Sequence, residues 1–336
     1  MPSCLYISLK DEGVIAIFHM DITSGELTPI RHVRTGTGVM PLAIDPAGQF
    51  LHAGLRTHPT VRSYRLSDSG DDLHEVGETP LGWDPTYLAT DRTGRFLLSA
   101  SYLGAVAGVH AIGTDGVVVP TSRSQYAMTR GAHCIRTDPS NRFAFVPHVA
   151  ESNAIYGFRF NSVTGSLTPK NSTTVIPPLG TGPRHYCHHP SAPFVYVDNE
   201  QGCSVTAYHF DAAYGTLNPL QTITTLPSEF DATNTCAQMH LHPSGRFLYV
   251  SNRGHDSIAG FAVDTGTGRL RPIGHAPAPG TPRAFNIDSS GRFLYAAGQD
   301  SGTVTAFQIN SETGILEPFA AYEVGAAPSW VEVVGE

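Results

Sequence analysis

At the sixth residue after the start of each aromatic-rich strand, this sequence places Lys10, Arg56, Tyr102, Val149 (with His148 just before it), Glu200, Arg253 and Gln299. Six of those seven positions are polar. A second set stands five residues ahead of the turn leading into such strands: His133, Arg184 and Arg283, with His185 next to Arg184. Arginine forks grip carboxylate or phosphate through paired, charge-assisted bonds, and imidazole or carboxylate groups move protons. These residue types therefore offer capture of a small anion and acid–base work upon it, in a cationic pocket with one carboxylate, Glu200. Taken singly, Arg56 or Arg253 reads at least as well as a salt bridge or a solvated surface charge. Recurrence at one equivalent position is what argues for a site, and that equivalence rests on the elements that carry these side chains.

Those elements repeat. A polar-x-Gly turn followed by an apolar residue, and often by proline, recurs as ITSGELTP, SDSGDDLH, GTDGVVVP, SVTGSLTP, AAYGTLNP, DTGTGRLRP and SETGILEP. Its glycines, Gly25, Gly70, Gly116, Gly165, Gly215, Gly268 and Gly314, stand 45 to 53 residues apart, the period of a four-stranded propeller blade. Between them recur a short apolar segment, an Asp-Pro-x-Gly type turn and an aromatic-rich strand, as in LAIDPAGQFLHAG, YLATDRTGRFLLSA and FNIDSSGRFLYAAG. Turn formers between two β-rich runs make a hairpin. The chain itself opens at CLYIS, already in the second-strand pattern, and finishes on APSWVEVVGE, which reads as a first strand with no successor. The expected fold is all-β, a single seven-bladed β-propeller domain over residues 1–336, built of four-stranded antiparallel blades. Its ring is closed by the C-terminal strand joining the N-terminal blade, which removes the free edges. Equivalent strand ends then share one face around the axis, and the polar set converges on a central funnel.

Composition narrows the partners. Lys plus Arg number 21 against 29 for Asp plus Glu, a net charge of −8 with no basic run, so neither nucleic acid nor an anionic membrane is an expected partner. MPSCLYISLKDEG has no basic segment followed by an apolar one, and no apolar stretch reaches spanning length. Cys4, Cys134, Cys187, Cys203 and Cys236 are odd in number and form no CxxC pair, which reads as reduced thiols in a cytoplasmic protein. His185, Cys187, His188 and His189 look like a metal motif, but strand alternation spreads the first, second and fourth over roughly 13 Å, too far for shared ligation. Calcium would need several hard oxygens where the funnel offers only Glu200, so no metal is expected. His189 and His242 occupy the place of the hairpin Asp and read as turn residues on the opposite face, and Trp330 reads as a blade-packing aromatic. Without a Gly-rich phosphate loop, a G-x-S-x-G elbow or a nucleophilic cysteine setting, neither a cofactor nor a covalent intermediate is expected. No feature sets an oligomeric state.

GTGPRHYCHHP with VDNE, HLHPSGRFLYVSNRG, and TPRAFNIDSSGRFLYAAGQDSGTVTAF resemble the seven-bladed lactonase family, which holds bacterial 6-phosphogluconolactonases and the related fungal 3-carboxy-cis,cis-muconate cyclase. The resemblance spans essentially the whole chain, and its GPRH, SNR and PRxFN…AAGQ segments are more specific than the propeller repeat. It implies a site of Arg56, Tyr102, His133, Arg184, His185, Glu200, Arg253, Arg283, Asn286 and Gln299, to which the cyclase branch adds His148. The implied partner is a small anionic lactone or dicarboxylate. His185 or Glu200 would activate water and Arg253 would face the developing oxyanion, with Arg56, Tyr102, His133, His148, Arg184, Arg283, Asn286 and Gln299 binding substrate. Three functions follow: a hydrolase of sugar-acid lactones, phosphorylated or not; a carboxymuconate-type lactonizing cycloisomerase, favoured by His148; and a non-catalytic interaction propeller, which has no need of a polar funnel.

Overall fold

The computed structural model describes residues 3–335. Twenty-eight strands run in chain order from β1 (Cys4–Leu9) to β28 (Pro328–Val334) and pair into seven four-stranded antiparallel sheets. Blade 1 is composite, in the order β28, β1, β2 (Val14–Met20) and β3 (Leu27–Arg34). The other blades each use four consecutive strands: blade 2 residues 39–80, blade 3 87–127, blade 4 136–169, blade 5 183–224, blade 6 235–277 and blade 7 282–323. The expected closure is present, with β28 antiparallel to β1 and Ser8 opposite Trp330. Among the described residues helix is limited to two three-residue 3-10 turns, and no helix is long and apolar enough to cross a membrane.

The strand sequences follow from where each strand sits. Second strands such as CLYISL, FLLSAS and FLYAAG are buried at every residue, because neighbouring blades cover both faces. The outermost strands, LTPIRHVR for example, are apolar only where they touch the next blade. The two sequence repeats meet in space as one joint. The turn glycine of each blade faces the residue that opens the second strand of the blade before it, so tightly that a Cβ on Gly215 would stand 2.3 Å from the Phe143 ring. The same contact recurs between Gly314 and Phe247, also at 2.3 Å, while Gly70 meets Cys4. Tyr6, Tyr249 and Tyr295 add a bond at this joint, their hydroxyls donating at 2.7 Å to the carbonyls of Gly70, Gly314 and Gly25.

On the opposite face the hairpin turns are held by their Asp. Asp138 Oδ1, for instance, accepts the N–H groups of Arg142 (2.7 Å) and Phe143 (2.6 Å). His189 and His242 take this role in blades 5 and 6, as expected, with Nδ1 accepting from Ala192 N–H (3.0 Å) and Ser244 N–H (3.1 Å).

Trp330 does more than pack within its blade. Tyr87 of blade 3, His185 of blade 5 and Trp330 of blade 1 come from blades that are not neighbours, so contacts among them must cross the axis. Their ring centroids lie 5.2 Å (Tyr87–His185), 5.4 Å (Tyr87–Trp330) and 6.3 Å (His185–Trp330) apart, and all three are buried. This aromatic plug divides the axial channel into a funnel on the strand-end face and a cavity of about 450 Å³ on the hairpin face.

Candidate functional site

The funnel is built around one carboxylate and three guanidinium groups. Glu200 directly follows the second strand of blade 5 (Phe194–Asn199), and Arg184 is the second residue of the inner strand beside it (Pro183–His188). Glu200 Oε2 accepts from Arg184 Nε at 2.9 Å, and Oε1 forms an ion pair with Arg253 Nη2 at 3.0 Å. Arg184 also donates to Ala237 O and to His185 Nε2 (3.2 Å), and Arg253 Nη2 donates to Cys236 O (2.8 Å). Arg283 has no salt bridge among the described residues. Burial, and then the charges of Arg184 and Arg253, push its guanidinium down to about 9. Three cations around one carboxylate leave the funnel with surplus positive charge.

Two histidines sit against this cluster. His133 Nδ1 and His185 Nε2 are 3.2 Å apart. Burial, and then the charge of Arg184, hold both imidazoles well below their ordinary range, so both are neutral at neutral pH. Arginine carries donors only, so His185 Nε2 must be the acceptor from Arg184, and His133 Nδ1–H must donate to that same nitrogen. This assignment of tautomers leaves His133 Nε2 as a lone pair. Among the described residues that nitrogen has no protein partner, and it keeps contact with solvent. Tyr102 stands edge-on to the His133 ring, with centroids 6.3 Å apart.

Other expected site residues are placed differently. Arg56 is paired with Asp84, through Nη2 at 2.8 Å and Nε at 3.2 Å. Gln299 is half-buried at the matching strand end of blade 7. His148 is not part of the cluster: its ring packs on Tyr156 of the next strand (centroids 4.8 Å) and its Nδ1 lies 3.0 Å from Val146 O. Asn286 lies below the plug, donating to Val331 O and Glu332 Oε2, both at 3.2 Å. The run from His185 to His189 is dispersed, with His185 at the axis, His188 edge-on to Phe210 inside the blade and His189 in its turn.

Two carboxylates escaped the sequence reading. Asp84 neutralises Arg56 and accepts from Ser101 Oγ at 2.7 Å. Asp198, fully buried, accepts the N–H of His185 at 2.6 Å, and burial pushes it up to about 7 against the pull of Arg184. Strand alternation offered a signal, since Asp198 and Glu200 lie two apart in VDNE and share a face. No such spacing marks Asp84.

Comparison with known proteins agrees with this architecture. The family described as Lactonase, 7-bladed beta-propeller matches residues 5–333. A 6-phosphogluconolactonase of Pectobacterium carotovorum is 37% identical over 99% of both chains, and that of Serratia proteamaculans is 34% identical over 100% of both. The solved structure of the Pseudomonas aeruginosa periplasmic gluconolactonase superimposes with a TM-score of 0.90 at 24% identity, covering 100% of this chain and 99% of its own.

Proposed function

Because the chain belongs to the seven-bladed β-propeller lactonase family, we propose that its funnel hydrolyses a small anionic sugar-acid lactone, 6-phosphogluconolactone being the first to test. The observation that carries this reading is a guanidinium with no salt bridge among the described residues, Arg283, beside a neutral imidazole whose Nε2 has no partner among them, His133. Arg283 holds the fixed anion of the substrate. His133 Nε2 takes a proton from water as the water oxygen bonds to the lactone carbonyl carbon, and Arg253 faces the oxyanion that develops. When the tetrahedral centre collapses, the ring C–O bond breaks and the His133 imidazolium returns its proton to the leaving oxygen.

Glu200 has both oxygens engaged by arginines, so its part is to hold Arg184 and Arg253 in place. His185, first considered as the base, orients His133 instead, since its Nε2 is already accepting two bonds. The five free cysteines, four of them buried, suit a reducing compartment. The lactonizing alternative leaned on His148, which lies away from the cluster.

A pH-indicator assay of the purified protein on 6-phosphogluconolactone and glucono-δ-lactone tests the reading. His133→Gln should lower kcat by about 10²–10⁴-fold with little change in KM, the worth of a positioned base. Full turnover in that variant, or no turnover of either lactone by the wild type, would sink it.

A further inference from the structure

The cavity beneath the aromatic plug has the chemistry of a second ligand site. Its ceiling is Tyr87 and Trp330, and its polar wall includes Arg136, Gln238, His240 and Glu332. At about 450 Å³ it lies within the size range of small-molecule pockets. Arg136 starts the short inner strand of blade 4 and is only partly exposed. Among the described residues its guanidinium makes no salt bridge and no hydrogen bond, and its nitrogens are not sealed from solvent. Arg92 stands at the rim, also without a salt bridge among the described residues.

The acidic groups nearby leave these cations unneutralised. Asp91 lines the rim, but its oxygens accept from Arg95 N–H (2.9 Å), Phe96 N–H (3.0 Å), Thr93 Oγ1 (2.7 Å) and Asn141 Nδ2 (2.7 Å). Glu332 has its oxygens on Trp330 Nε1 (2.8 Å) and Asn286 Nδ2 (3.2 Å), and burial pushes it up to about 7. Asp138, close enough to act on Arg92, is spent on its turn.

The neutral groups complete a recognition pattern. Gln238 Oε1 accepts from Phe285 N–H (2.9 Å) and faces His240 Nε2 at 3.4 Å. An amide oxygen can only accept, so His240 carries its proton on Nε2 and presents Nδ1 as an acceptor. Among the described residues the Gln238 amide nitrogen and His240 Nδ1 have no protein partners, and they are not sealed from solvent. A fork donor, an amide donor and an imidazole acceptor under two aromatic faces match a carboxylate on a hydroxyl-bearing carbon skeleton.

We propose that this hairpin-face cavity binds a small hydroxy-carboxylate, held by Arg136 and Gln238, independently of the funnel. The plug separates the two sites, so both can be filled at once.

Calorimetric titration with D-gluconate tests this, using Arg283→Ala to weaken the funnel. Binding should persist in Arg283→Ala and fall about tenfold or more in Arg136→Gln/Arg283→Ala, the worth of one charge-assisted contact. Arg92→Ala/Arg283→Ala, altered only at the exposed rim, should weaken binding less and guards against a folding defect in the Arg136 variant. Glucose, which lacks the carboxylate, should not bind. Inorganic phosphate competing as strongly as gluconate would make the cavity a general oxyanion site and overturn the carboxylate assignment. No binding in Arg283→Ala, or undiminished binding without Arg136, overturns the site itself. These readouts are binding heats, so they stand or fall separately from lactone turnover.

Discussion

Arg184 and Arg283 occupy equivalent places in the sequence repeat, yet the structure gives them different work. Arg184 is 2% exposed and bonded to Glu200, His185 and Ala237 O, so it is built into the fold as well as the funnel. Arg184→Ala should strip Glu200 and His185 of a buried partner and lose about 3–5 kcal/mol of stability, read from urea unfolding. An unchanged urea midpoint would contradict that. Arg283→Ala should leave the midpoint nearly unmoved and chiefly raise KM, because the anion contact is felt alike by substrate and transition state. It should also shift the pH profile. His133 is held low by burial and by Arg184, His185, Arg283 and Arg253, so, with His133 as the base, the wild-type activity limb should fall well below pH 6.5. Removing one of those positive charges raises the imidazole toward its ordinary value, and the limb of kcat/KM should move to higher pH; a shift the other way, or none, refutes the role of Arg283 beside His133. Counting along strands showed which side chains end at the funnel. It could not show their depth, nor that Asp198 and Asp84 would supply the partners, since those pairings join residues through space.

At the scale of the element, the most legible feature was the joint between turn glycine and strand aromatic, because both halves recur with the blade period. Gly215 sits at φ +64° with the Phe143 ring where a Cβ would go. Gly215→Ala should therefore cost about 2–4 kcal/mol, combining left-handed backbone strain with overpacking. Phe143→Leu in the same chain should return part of that loss by making room, and urea midpoints that fail to separate the single from the double variant would disprove the joint. The position of His148 was less legible. It stands one residue short of the count that gives Arg56 and Glu200, blade 4 has an inner strand of only two residues, Arg136–Thr137, and the His148 ring turns onto Tyr156 within the blade. Asn286 shows the same limit: the resemblance marked it for the site, and the aromatic plug that divides the axis puts it on the other side.

For the whole molecule, nine buried or half-buried histidines set the response to acid. His52, His110, His133, His148, His185, His188, His189, His240 and His255 all lie below their ordinary value because burial disfavours the cation. The unfolded chain takes up protons at these rings below pH 6.5 while the folded chain does not, so stability falls as pH drops from neutrality. Asp198 and Glu332, raised to about 7, act in the opposite sense between their ordinary range and pH 7, two groups against nine. The urea midpoint should decrease steadily from pH 7 to pH 5, and a flat profile would contradict the buried-histidine account. Deleting residues 328–336 removes the strand that pairs with Cys4–Leu9 and opens two sheet edges. The shortened chain should aggregate or lose its cooperative transition; a monomer with an unaltered melting curve would refute closure by β28. That closure also imposes an order of events on synthesis. β28 follows every other strand in the chain, so at roughly 5–20 residues per second the first blade waits tens of seconds on the ribosome for its inner strand. Throughout that interval β1 offers an unpaired edge to any neighbouring nascent chain, which makes crowded translation of this message, rather than the finished fold, the point at which misassembly begins.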